Sequence, residues 1–389
     1  MKKRLMFYCQ HILGIGHLVR SMEIVRALTT DFDVCFINGG KVVPEFKAPT
    51  GVNVINLPAI ETDPNFQTLK AVDASISLEE VETKRRTILL DVVDLYRPDV
   101  LVVELYPFGR RRFSFELEPL LERARALGSK VSCSLRDIVV TKQDRERHEA
   151  KVVKLMNRYF DQLLVHGDRR FIPLEDSFSR ASDLNCPVHY TGYVAQKPNA
   201  VPAFHFTDPF ILCSVGGGRF GHDLLECVAR SAPILAERVP HSIRMFTGPF
   251  VPNCVWERLQ DIVAKQPNLE IDRYTPHLLD YMRQADLSIS MAGYNTTMNI
   301  LSTGVRSMMM PFTGNGDLEQ RMRLQKLNAM GIVSTINPAI LDPELLSTQV
   351  EACLYADTRP FAFDLDGATN TATYLQQLAE SIAPAVSAA

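Results

Sequence analysis

The stretch Ala285–Gly331, ADLSISMAGYNTTMNILSTGVRSMMMPFTGNGDLEQRMRLQKLNAMG, decides how this chain is read. An apolar run, Leu287–Met291, predicts a buried strand that enters a loop of small residues, Ala292-Gly293-Tyr294-Asn295. A short helix is expected from Thr296 to about Thr303, ended by Gly304. Ser307–Phe312 predicts a second strand, which meets the loop Thr313-Gly314-Asn315-Gly316 before a helix from about Leu318 to Met330. The unit is β-α-β-α. Both loops fall at the carboxyl ends of parallel strands, where open α/β sheets take their ligands.

Ala292 and Gly293 would let a ligand approach the backbone closely. Asn295 or Thr296 could cap the helix, and the amides of its first turn would then suit an anion such as a diphosphate. The same residues also serve a helix start with no ligand. In the second loop, Asp317 and Gln320 fit a capping box, which leaves Glu319 to face the crevice.

Working outward, Phe210–Val215 restarts the same alternation and leads into Gly216-Gly217-Gly218-Arg219-Phe220-Gly221 and a helix from about His222. Three successive glycines permit close approach to a ligand or an opposing surface. Ile243–Thr247 ends at Gly248-Pro249, and Leu269–Arg273 ends at Tyr274-Thr275-Pro276-His277, with a helix over Pro276–Arg283. Residues 195–208, with Pro198 and Pro202 and no periodicity, read as a linker between domains at 1–194 and 209–367. Helices are expected over Leu341–Tyr355 and Asn370–Ile382.

The first half repeats the pattern. Strands are expected at Leu5–Cys9, Val34–Ile37, Val52–Leu57, Val100–Glu104, Lys130–Leu135 and Gln162–Val165. Helices fall at about His17–Thr29, Leu78–Tyr96, Ser114–Leu127 and Lys142–Tyr159. Such alternation gives a parallel sheet covered on both faces. The first loop holds Gly14-Ile15-Gly16-His17-Leu18-Val19-Arg20. At a helix N-terminus the dipole keeps His17 neutral and available as a base, or the ring simply caps the helix. Arg20 could pair with Glu23 on the surface. Glu104, at a strand end, could be a second base or could orient His17. Arg110, Arg111 and Arg112 could receive an anionic acceptor or form a solvated loop. For Arg136-Asp137 a local ion pair is the simpler reading.

At 389 residues the chain has room for two cores. With 46% apolar and 22% charged residues and net charge −3, it has a globular composition and lacks the basic excess of a nucleic-acid binder. Its eight cysteines form no CxxC pair or metal-spaced cluster. The apolar run after Met1-Lys2-Lys3-Arg4 is broken at Gln10 and His11, so a signal peptide is not expected. Nor does any segment reach the roughly 18 apolar residues of a membrane span. A cytoplasmic protein is expected, with peripheral membrane contact still open.

The Ala285–Gly331 segment resembles the donor-binding region of GT-B glycosyltransferases. It is most similar to enzymes that add N-acetylglucosamine to lipid-linked muramyl-pentapeptide, and to predicted bacterial transferases related to them. Gly16-His17-Leu18-Val19-Arg20 resembles the acceptor-side loop of the same class and the GxGHxxR stretch of nucleotide-sugar hydrolases. The resemblance implies a GT-B architecture, two Rossmann-like doubly wound α/β domains facing a central cleft. The final helix, 368–389, would pack back on the first domain.

It further implies that Gly293–Thr296 and the Gly216–Arg219 loop meet the diphosphate, with Ala292 and Gly248 beside them. Tyr274 to His277 would lie by the base, Asn299 by the ribose, and Glu319 and Gln320 by the sugar hydroxyls. Gly14, Gly16, Arg20 and Arg110–Arg112 fall on the acceptor side. The family usually has an acid at Asn299 and paired glutamines at 319–320. An amide demands a ribose 2′-hydroxyl less than an acid does, which predicts a UDP donor with dTDP tolerated. The expected reaction moves a sugar from a nucleotide diphosphate to a hydroxyl acceptor, small or lipid-linked, with inversion. His17 is the expected base and Glu104 the reserve, with no metal and no cofactor. A hydrolase using His17 and a non-catalytic nucleotide-sugar-binding subunit are the rival readings. A monomer or a homodimer fits equally.

Overall fold

The computed structural model describes residues 2–12, 16–43, 47–62, 68–140, 144–198, 200–314, 318–357 and 362–382. The chain forms two compact units, residues 1–194 with 364–389, and residues 195–363.

In the first unit the elements run β1 (Lys3–Cys9), α1 (Gly16–Leu28), β2 (Phe32–Asn38), β3 (Asn53–Asn56), β4 (Ile60–Thr62), β5 (Leu69–Ala71), α2 (Leu78–Tyr96), β6 (Val100–Glu104), α3 (Ser114–Ala126), β7 (Lys130–Arg136), α4 (Arg145–Tyr159), β8 (Gln162–His166) and β9 (Val188–Tyr190). Seven strands form one sheet in the order β3-β2-β1-β6-β7-β8-β9. Every pairing in it is parallel. A parallel sheet is buried on both faces, so its strands are continuous apolar runs. In β1 the side chains alternate. Leu5, Phe7 and Cys9 join the core with Met22, Val25 and Leu28 of α1, while Met6 and Tyr8 join the opposite core with Leu89, Leu117 and Leu121.

That second core contains a buried ion pair that joins α2 to α3. Arg85 and Glu116 are both 0% exposed. Arg85 grips the carboxylate twice, Nε to Oε2 at 2.8 Å and Nη2 to Oε1 at 2.6 Å. It also donates to the carbonyls of Gly39 and Pro58 and to Gln10 Oε1. The Tyr8 hydroxyl donates to Glu116. A buried charge pair is tolerated when every polar atom is met, and this one ties two helices to two loops.

The second unit runs β10 (Phe210–Ser214), α5 (His222–Arg238), β11 (Ser242–Phe246), α6 (Asn253–Val263), β12 (Leu269–Asp272), α7 (Leu278–Gln284), β13 (Leu287–Met291), α8 (Tyr294–Thr303), β14 (Ser307–Met310), α9 (Glu319–Ala329), β15 (Ser334–Thr335) and α10 (Pro343–Tyr355). Six strands pair in the order β12-β11-β10-β13-β14-β15, again all parallel. Ala203–Phe206 is fastened to α7: the Ala203 amide donates to Asp280, the Phe206 amide donates to Gln284, and Phe204 packs on Tyr281. The chain then returns to the first unit as α11 (Gly367–Glu380), which packs on α1. Asn370 donates to the Thr191 carbonyl at 2.8 Å, and Tyr374 stacks on His189.

Both sheets follow one rule. The strand order reverses between β1 and β6 in the first unit and between β10 and β13 in the second. Neighbouring strands there send their helices to opposite faces, and a crevice opens at their carboxyl ends.

Candidate active site

The first crevice brings together the end of β6 and the start of α1. His17 Nδ1 lies 2.8 Å from Glu104 Oε1. Arg20 Nη2 donates to the same oxygen. Glu104 is fully buried and Arg20 is 2% exposed, whereas the His17 side chain keeps 18% of its surface. An ionised carboxylate can only accept, so the proton of this contact belongs to Nδ1 and the lone pair of a neutral ring to Nε2. Burial opposes ionisation of Glu104, but His17, Arg20 and Arg110 outweigh it and hold the carboxyl well below its usual range. Burial lowers the His17 pKa to about 3, against the upward pull of Glu104. The neutrality expected of His17 from the helix dipole is therefore owed first to burial. Beneath it, burial pushes the Cys9 thiol up to about 12, so Cys9 is an inert wall.

Two expectations here are corrected. Arg20 does not pair with Glu23 on the surface; it points inward to Glu104, and Glu23 meets Arg26 instead at 3.6 Å. Nor do Arg110, Arg111 and Arg112 form one cluster. Arg110 takes a left-handed conformation, φ 57°, directly before a 3₁₀ turn over Arg111–Phe113, and the three side chains have different surroundings. Arg110 carries a buried Nε without a hydrogen bond and feels Glu104 and Arg136 electrostatically. Arg111 borders a separate depression, and Arg112 is exposed. Gly16 begins α1, while Gly14 lies outside the described residues.

In the second unit the two switch-point loops are Gly216–Gly221 and Ala292–Asn295. Gly218 and Gly248 both have positive φ, and a Cβ on either would fall 2.4–2.5 Å from backbone atoms of the other loop. The Phe250 amide donates to the Gly217 carbonyl at 3.0 Å. These two glycines thus exist for each other's backbone, while Gly216 and Gly293 leave open space. Arg219 lies over the Phe250 ring, and Phe220 packs on Phe312.

The start of α8 differs from expectation. Its cap is Gly293 with no side-chain cap, so Tyr294, Asn295 and Thr296 form the first turn rather than a capping loop. Backbone geometry alone starts this helix, and the first turn faces outward along its axis. The earlier start makes Asn299 the sixth helical residue, about 8 Å along, and 8% exposed. Glu319 does not face a crevice. It is 3% exposed and pairs with Arg323 at 2.7 Å, and Arg323 lies over the Tyr294 ring. Gln320 accepts the Phe312 amide at 3.0 Å, which holds the loop after β14. Asp317, its expected capping partner, lies outside the described residues. Tyr274 is exposed, and the His277 amide donates to Thr275 Oγ1 just before α7.

One residue at the first crevice was not anticipated. His166 closes β8, fully buried between Ser134 Oγ at 2.7 Å and Thr191 Oγ1 at 2.9 Å. A polar residue ending an apolar strand, as Glu104 does, was the available signal. Burial lowers its pKa to about 3. In the unfolded chain His17 and His166 titrate near 6.5. Between these values the unfolded chain binds more protons, so stability should rise with pH from about 3 to about 6.5. The slope approaches about 1.4 kcal/mol per pH unit for each histidine. Glu104, with its lowered pKa, adds stability above its ordinary value that is lost in acid. Urea midpoints at pH 5 and 7 should differ in this direction, and less in His166→Asn. A midpoint that rises on acidification would contradict these protonation states.

Comparison with known proteins bears on the fold. Residues 211–377 match the glycosyltransferase family 28 C-terminal domain. The fold is GT-B. The calicheamicin glycosyltransferase CalG4 superposes with a TM-score of 0.64 at 15% identity, covering 99% of this chain and 100% of that one. The UDP-GlcNAc 2-epimerase of Methanocaldococcus jannaschii gives 0.63 at 14% identity, covering 97% and 99%. By sequence, the UDP-N-acetylglucosamine–N-acetylmuramyl-(pentapeptide) pyrophosphoryl-undecaprenol N-acetylglucosamine transferase of Prochlorococcus marinus (strain NATL2A) is 25% identical over 199 residues, 50% of this chain and 52% of that protein. The chain thus spans about half the length of the curated relatives it matches. Among the described residues no group of His, Cys, Asp and Glu gathers as a metal site, and no helix is long and apolar enough to cross a membrane.

Proposed function

We propose that this protein transfers a sugar from a nucleotide diphosphate to a hydroxyl group of a small or lipid-linked acceptor. The observation that carries the reading is the His17–Glu104 pair at the switch point of the first sheet. Glu104 is a positioning residue: it fixes the proton on Nδ1, turns Nε2 outward and stabilises the imidazolium that forms. His17 Nε2 removes the acceptor proton as the oxygen attacks the anomeric carbon, and inversion follows from a single displacement. The leaving diphosphate is held in the second unit by the Gly216–Arg219 loop and the uncapped start of α8, whose dipoles suit the charge that develops.

The Prochlorococcus relative is named for a UDP-sugar, which supports a uridine diphosphate donor. Thermal shifts with UDP, dTDP, GDP and ADP at equal concentration test it, with UDP expected to stabilise most. Clear preference for GDP or ADP would overturn the uridine assignment. With backbone dipoles meeting the diphosphate, turnover should survive EDTA. Abolition by EDTA, with recovery on adding magnesium, would contradict this account of the leaving group.

A further inference from the structure

His17 and Arg20 stand one turn apart on α1, so their side chains share a face and both reach the end of β6. They converge on a single atom. His17 Nδ1 lies 2.8 Å from Glu104 Oε1, and Arg20 Nη2 donates to the same oxygen, while Oε2 is buried with no hydrogen bond. Glu104 is 0% exposed and Arg20 2%. A carboxylate this deep needs a countercharge. An imidazole supplies one only by taking up a second proton, which would occupy Nε2 and end its use as a base. A guanidinium is charged at every working pH. Arg110, from the turn after β6, acts on Glu104 through space. It and Arg136, at the end of β7, oppose a charge on His17. Cys9 on β1, His11 just after it and His166 on β8 also sense Glu104, and burial keeps all three neutral near pH 7.

We propose that Arg20 is a positioning residue for the His17–Glu104 pair: it is the permanent countercharge of Glu104, so the carboxylate can hold Nδ1–H without drawing a second proton onto the ring. The three residues then have separate tasks. Glu104 sets the tautomer, Arg20 neutralises Glu104, and His17 rests with the Nε2 lone pair open. Because both donors use one oxygen, Arg20 also tempers the pull of the carboxylate on the ring. The inference rests on the proposed function only in calling His17 a base; the charge pairing is a property of the free protein. Without the guanidinium charge, Glu104 would take its countercharge from His17, and the imidazole would protonate at a higher pH. An adjacent opposite charge moves such a titration by about 1–3 pH units.

The test is a ¹⁵N titration of the His17 ring in the full chain, without substrate, between about pH 4 and pH 8. The ring signals are identified by their loss in His17→Ala. In the wild type Nδ1 should carry the hydrogen and Nε2 should stay bare across this range, as burial of the ring requires. Arg20→Gln keeps a donor to Glu104 but removes the charge. It should raise the midpoint by about one pH unit or more, into this range. Arg20→Lys, which restores the charge, should return the ring to wild-type behaviour, and Arg110→Gln should shift it less than Arg20→Gln. The acid limb of kcat/KM for sugar transfer should follow the ring in each variant. A ring that shifts as expected while the limb stays put supports the charge pairing and counts against His17 as the base. An unmoved ring in Arg20→Gln, or a larger shift in Arg110→Gln, overturns the proposal. So does a wild-type ring already protonated near pH 6, whether or not Arg20→Gln folds.

Discussion

His17→Ala should slow sugar transfer by about 10²–10⁴-fold, the range a positioned general base supplies, with nucleotide diphosphate affinity nearly unchanged. The ring sits in the first unit, and the proposed diphosphate contacts are all in the second. Only the acceptor's proton loses its destination. Single-turnover rates and nucleotide titrations on the same preparation measure both quantities. Comparable turnover would remove His17 from its role, while joint loss of turnover and nucleotide binding would indicate misfolding. Glu104→Gln should also lower kcat with little change in donor KM. A glutamine amide can donate to Nδ1 and so favour the wrong tautomer, which leaves Nε2 protonated.

The largest stability effect is expected at Arg85. Arg85→Ala strips Glu116 of a bidentate partner in a site with no exposure, and it frees two carbonyls and Gln10. Breaking a buried pair from one side costs about 3–5 kcal/mol. For a unit of this size that is a fall of roughly 10 °C in the first unit's transition. Replacing Arg85 and Glu116 together with apolar residues of similar volume should recover much of the loss, since the cost lies in the orphaned charge. Calorimetric melting of the single and double variants checks it. An unshifted transition in Arg85→Ala would contradict the description of this network.

The alternation of strands and helices was legible because parallel strands buried on two faces leave unbroken apolar runs, such as Val100–Val103 and Leu287–Met291. The Gly216–Gly221 loop was legible through its glycines, of which Gly218 has no room for a side chain against the backbone at Thr247 and Gly248. Helix starts were less so. Asn295 or Thr296 reads as the cap of α8, but the turn at Gly293 starts that helix without a side-chain cap. Charges inside helices misled in a consistent way. Arg20 reads locally as a surface partner of Glu23, and Glu319 as a residue that faces the crevice. Arg20 instead meets Glu104, 84 residues away, a separation that no local pattern encodes, whereas Glu319 turns in to Arg323 one helical turn on. The Arg110–Arg112 run shows the converse, for adjacency in sequence suggested one cluster, whereas Arg110 faces Glu104 electrostatically and Arg112 is exposed.

The central claim is that the site moves sugar to an acceptor hydroxyl rather than to water. Its most direct test is release of nucleotide diphosphate from a panel of UDP-sugars, with and without candidate acceptors, in wild type and His17→Ala. Release that requires an acceptor, forms a glycosylated product in equal amount and vanishes in His17→Ala is the predicted result. Release at the same rate with water alone, with no glycosylated product, would contradict it.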